Sequence, residues 1–218
     1  MFISIGFFSC SQDGEVYSCD KSVNAWVKEN LADIRMMSRS DWLKLDERVN
    51  RAAYIAFTPE QKYLFWRVKI SEVMSLGWNK AEIKHLELLY NAVSDNPRWF
   101  TNDFSKNEVE WEEFELFEYR WLEYAKDNLG WGNYLIGSIV ASGNKLLDIN
   151  GKLQIMNNSM IKLRADTELP ICECASKDDW CINPFTYCGK NGSCPGFCKQ
   201  TYDGGCGWLL KYICDGMC

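Results

Sequence analysis

The chain has 218 residues and a formal charge of −6 at pH 7, and 47% of its residues are hydrophobic and 14% aromatic. That composition supplies a core and excludes general disorder, while the acidic balance and the lack of a Lys/Arg stripe exclude a nucleic-acid binder. No run reaches the roughly 18 apolar residues that a membrane-spanning helix needs.

The first ten residues, MFISIGFFSC, form an apolar run of signal-core length, closed by Ser9 and Cys10 and followed by the polar SQDG. An ordinary secretory signal or a buried strand over FISIGFF would also accommodate this run. A small residue directly before a cysteine resembles a bacterial lipoprotein signal. That resemblance implies removal of the segment before Cys10, a lipid anchor on Cys10 and an exported protein at the outer membrane or cell surface, otherwise secreted.

Residues 20–143 read as a helical bundle of about five helices. In SVNAWVKENLADI, Val23, Trp26, Val27, Leu31 and Ile34 fall on one face. In the next segment, residues 38–57, Ser40 is the expected cap, and Trp42, Leu45, Val49, Ala52 and Ala53 line the inner face. The third helix has the strongest start signal: Thr58 as N-cap, Pro59 at the first helical position and Gln61 three residues after the cap, with Gly77 ending it. Asn79 caps the fourth, whose inward residues are Ile83, Leu86, Leu89, Tyr90 and Val93. The fifth, residues 108–128, sets Trp111, Phe114, Trp121 and Ala125 on one side and Glu110, Glu113 and Glu118 largely on another. Beyond it a further helix and a hairpin-like stretch fit the NG turn signals, and residues 144–170 are expected to connect two regions.

Residues 171–218 differ in kind. Two cysteines stand before them and nine within them, among seven glycines and several turn dipeptides. So short a segment cannot bury enough surface to hold itself together, and clustered cysteines then indicate disulfides and an oxidising compartment. The spacings contain no C-x2-C pair, and His85 is the only histidine of the chain, so a metal site is not expected. With Cys10 assigned to a lipid, the remaining ten form an even set for disulfides: Cys19, Cys172, Cys174, Cys181, Cys188, Cys194, Cys198, Cys206, Cys214 and Cys218. The fold class is therefore a mainly α-helical bundle followed by a small, loop-rich, disulfide-rich module.

Catalytic residues and cofactors are not expected. His85 lacks a nucleophile or second histidine in sequence context and reads as a partly exposed helical residue. The glutamates of the fifth helix read as a solvated face rather than as paired catalytic carboxylates, and no phosphate loop or nucleophile elbow occurs.

The tail, CECASKDDWCINPFTYCGKNGSCPGFCKQTYDGGCGWLLKYICDGMC, resembles the fulvocin C-related bacteriocins. The resemblance rests on the opening Cys172-x-Cys174, Trp180 before Cys181, the steps to Cys188 and Cys194, GGCGW at 204–208, and the closing pair Cys214 and Cys218. VNAWVKENLADIRMMSRSDW and AFTPEQK are similar to the upstream part of longer members that carry a lipoprotein signal. Membership implies antibacterial action on a competitor's envelope. Because the tail carries four lysines against five carboxylates, attraction to an anionic membrane is not its mode of action. Toxicity would then need a receptor or an apolar contact face, for which Trp180, Trp208, Leu209, Leu210, Tyr212 and Ile213 are the candidates. The expected partners are a bacterial envelope target or surface protein, and the membrane through Cys10. A non-toxic surface binding protein and a self-protection protein remain the alternatives.

Overall fold

The computed structural model describes residues 15–18, 20–154 and 204–213. They form a mainly helical body: α1 (Lys21–Glu29), α2 (Leu31–Ile34), α3 (Arg39–Trp42), α4 (Glu47–Ile55), α5 (Pro59–Met74), α6 (Lys80–Asp95), α7 (Glu108–Asp127) and α8 (Asn133–Val140). Two short antiparallel pairs complete it, β1 (Lys145–Leu146) with β2 (Leu153–Gln154) and β3 (Gly205–Cys206) with β4 (Tyr212–Ile213).

Local chemistry explains most helix starts. Thr58 accepts from the Gln61 amide while Gln61 returns to the Thr58 N–H, a reciprocal cap that fixes the start of α5 behind Pro59. Asn79 and Glu82 make the same arrangement for α6. Two expected helices are each broken in two. The first splits at Asn30, whose φ of −107° and ψ of 13° leave the helical region. In the second, the cap is Ser38 rather than Ser40: Ser38 closes a reciprocal box with Asp41, and α3 and α4 are separate short helices. Helix α5 stops at Met74, so Gly77 lies in the following turn.

Helices α5 and α6 form the central hairpin, tied by Tyr63 Oη to the Ser94 carbonyl at 3.1 Å and by Arg67 Nη2 to Tyr90 Oη at 3.0 Å. Helix α5 is wet on only one strip: Phe65, Trp66, Lys69, Ile70 and Val73 are all buried, while Leu64 and Val68 face outward. The core continues through Trp42, Phe100, Phe114, Trp121, Ile136, Ile139 and Leu146.

The described chain after α8 packs on the helices. The turn before β2 packs on α8, where Ser138 Oγ donates to the Gly151 carbonyl at 2.7 Å. Arg39 Nη1 donates to the Gly143 carbonyl at 2.6 Å, and Gly143 lies so close to Trp42 that an added Cβ would stand 2.5 Å from its ring. Residues 204–213 likewise lie in the helical core.

Candidate functional site

The chemically distinctive part of the body is where residues 204–213 enter it. Trp208 and Leu209 are 0% exposed and Cys206 is 1% exposed, and Leu210, Lys211 and Tyr212 are buried as well. The segment turns back on itself. Gly205 pairs with Ile213 and Cys206 with Tyr212, and Leu210 and Lys211 donate their amides to the Gly207 and Trp208 carbonyls. Gly204 has φ of +112°, and a Cβ there would meet the Leu210 carbonyl oxygen at 2.8 Å, so the turn needs glycine for both backbone and space.

Leu209 and Leu210 also adopt left-handed backbone, with φ of 50° and 53°. For residues with a Cβ this costs about 1–2 kcal/mol each. Burial of the Trp208, Leu209 and Leu210 side chains returns about 5–9 kcal/mol together, an upper estimate because the unfolded chain already buries some surface. Packing therefore outweighs the strain and holds it in place.

Three helices supply the receiving groups. From α4, Arg51 Nη1 donates to the Gly205 carbonyl and to Cys206 Sγ, both at 3.0 Å. Tyr54 Oη, which accepts from Trp66 Nε1 at 2.9 Å, donates to the Leu209 carbonyl at 3.4 Å. Burial raises the Tyr54 phenol well above its ordinary value, so it stays protonated as a donor. From α7, Glu118 Oε2 accepts from Tyr212 Oη at 2.6 Å, and Trp121 meets the Trp208 ring edge to face at 5.1 Å. Helix α8 packs against the Trp208 turn. Lys211 Nζ stands 5.4 Å over the Phe104 ring, and Trp111 lies edge-on to Tyr212.

Trp121 is itself fixed by His85. The two rings stack at 4.3 Å, Trp121 Nε1 donates to the His85 carbonyl, and His85 Nε2 donates back to the Trp121 carbonyl at 3.1 Å. His85 is 2% exposed, not partly exposed as expected, because Trp121, Tyr124 and Trp131 enclose it. Desolvation pushes its pKa down to about 4, which keeps the ring neutral at pH 7.

A second buried polar group belongs to α5. Lys69, 0% exposed, donates to the Ser138 carbonyl at 2.9 Å and lies 5.2 Å from the Trp66 ring. Desolvation, and then the nearby Arg39, hold its pKa well below the ordinary lysine value. Arg39 in turn pairs with Glu72 through Nε and Nη2, at 3.1 and 3.0 Å. Lys69 thus bonds to a carbonyl of α8, and Arg39 to a carbonyl of the chain after it. Among the described residues no group of three His, Cys, Asp or Glu could hold a metal ion, and no helix is long and apolar enough to cross a membrane.

Trp208, Leu209, Leu210 and Tyr212, expected as a contact face, are interior here. Their apolar surface meets the rings of α7 and the α4–α8 side of the core instead of solvent. Ile213 is in β4, and Trp180 lies outside the described residues. Cys206 is disulfide-bonded, and the other ten cysteines, Cys10 and Cys19 included, lie outside the described residues. Glu118 is buried rather than on the solvated face, and a sequence signal existed for it. Phe114, Glu118, Trp121 and Ala125 follow at helical spacing, which places a carboxylate within the apolar stripe. Arg51 and Tyr54 carry no comparable signal.

Compared with known proteins, the chain matches no family model, no curated protein and no solved structure.

Proposed function

We propose that this is an exported, non-enzymatic, bacteriocin-related protein. Its disulfide-stapled C-terminal region is the antibacterial effector, and its helical body carries and shields the effector's apolar part. The tail's resemblance to the fulvocin C-related bacteriocins motivates the effector role. The observation that carries the shielding role is the burial of Trp208, Leu209 and Leu210 among α4, α7 and α8. An exposed aromatic-leucine cluster would bind membranes or aggregate indiscriminately, and the body removes that liability until delivery. On this reading Cys10 bears the lipid, and Cys19 joins the nine tail cysteines in disulfides.

The same burial also favours a second reading, in which the tail completes a stable surface protein that binds an envelope partner or protects its producer. Growth inhibition separates the two. The purified oxidised chain, intact and cleaved near residue 170, is titrated against related bacteria. The effector reading expects inhibition that rises on cleavage. Inhibition by neither form, with retention of an envelope ligand by the intact chain, supports the binding reading instead.

A further inference from the structure

We infer that residues 204–213 form an autoinhibitory latch, a folded knot that can leave the body as one unit, with Glu118 and Tyr212 as its bolt. This rests on the effector reading above and adds how the effector is kept silent.

Among the described residues, the knot's backbone-to-backbone hydrogen bonds close on the knot itself, through the Gly205–Ile213 and Cys206–Tyr212 pairs and the two turn bonds at Leu210 and Lys211. Its ties to the helices run through side chains: Arg51 to Gly205, Tyr54 to Leu209 and Tyr212 to Glu118. An element built this way can open without unravelling a helix, because no turn of α4, α7 or α8 is completed by it. The consecutive left-handed leucines add strain that only the surrounding core sustains, and withdrawal relieves it.

These ties differ in what they read. Tyr54 grips a main-chain carbonyl, which any sequence offers, and Arg51 grips the Gly205 carbonyl together with Cys206 Sγ. Glu118 accepts from the Tyr212 hydroxyl, and both groups are buried, so this bond depends on the identity of the knot. In water the exposed Trp208, Leu209 and Leu210 would find no replacement for the core, and the latch stays shut. An apolar acceptor such as a lipid interface supplies that replacement and pulls the equilibrium open.

The test is amide hydrogen exchange on the full-length oxidised protein, comparing residues 204–213 with α5 and α6. The latch expects 204–213 to exchange faster than α5 and α6, through an opening that depends little on urea, and Tyr212→Phe to speed that exchange at least about tenfold, the effect of one buried hydrogen bond to a charged group. Glu118→Gln, which keeps an acceptor of the same shape, gives a smaller acceleration of 204–213. Exchange of 204–213 only through global unfolding, at the rate and urea dependence of α5 and α6 in the wild type and both variants, overturns the latch. Dye release from vesicles of phosphatidylethanolamine and phosphatidylglycerol tests the other half. A knot that opens separately yet releases no dye in any variant refutes the effector reading and leaves the latch standing.

Discussion

Tyr212 gives its phenolic hydrogen to Glu118 at 2.6 Å, joining residues 94 positions apart inside a helical body. One partner belongs to the acidic helix α7 and the other to residues 204–213, which the bond helps to hold in the interior. A buried carboxylate deprived of such a donor loses stability. Tyr212→Phe is expected to lower unfolding free energy by about 1.5–3 kcal/mol in urea titration. In a double-mutant cycle with Glu118→Gln the two effects should be non-additive by at least about 0.5 kcal/mol.

His85 should make stability sensitive to acid. Its folded pKa of about 4 lies below the 6.5 of the free side chain, so between these values the unfolded chain binds the extra proton. The His85 contribution is complete above about pH 6.5 and is lost as pH falls towards 4. Urea midpoints measured at pH 7, 5.5 and 4.5 should fall more for the wild type than for His85→Phe, whose ring cannot take the proton.

Lys69 is a second base whose pKa burial lowers, and its effect on stability has the same sign. Burial holds its pKa well below 10.5, so unfolding takes up a proton and stability rises with pH towards the unfolded value. Lys69→Met removes that penalty and keeps the volume. The variant is expected to be more stable than the wild type by about 1–3 kcal/mol at pH 6, with the advantage shrinking at pH 9.

Gly143 is a steric requirement. Its neighbours Trp42 and Phe65 stand 2.5 and 3.0 Å from where a Cβ would be. Gly143→Ala should cost about 1–3 kcal/mol through overpacking, seen as a lower melting temperature, and should disturb the Arg39 bond to the same residue.

How far the sequence reveals this molecule depends on the range of each interaction. The caps at Thr58 and Asn79 are local, made between residues three apart, and both helix starts are legible from spacing alone. Ser38 and Ser40 are equally good caps in isolation, and the choice falls to Ser38 because Asp41 is placed to return the bond. The break at Asn30 carries no proline or glycine and leaves no mark. Glu118 is half legible, since its position in an apolar stripe is a local fact but its partner is not. The burial of Trp208 to Tyr212 depends on Arg51, Tyr54 and Trp121, all more than 80 residues away in sequence, where hydrophobicity alone serves a core and a membrane face equally. His85 appears exposed for the same reason, because the rings that enclose it come from α7 and the turn after it.

Silencing of an antibacterial tail by the helical body, as proposed, can be measured in one growth-inhibition titration. Full-length oxidised wild-type protein and Tyr212→Phe are applied side by side to related bacteria. If the body silences the tail, the loosened variant inhibits at about one tenth of the wild-type concentration. Equal potency of the two proteins, or no inhibition by either at any concentration, contradicts it.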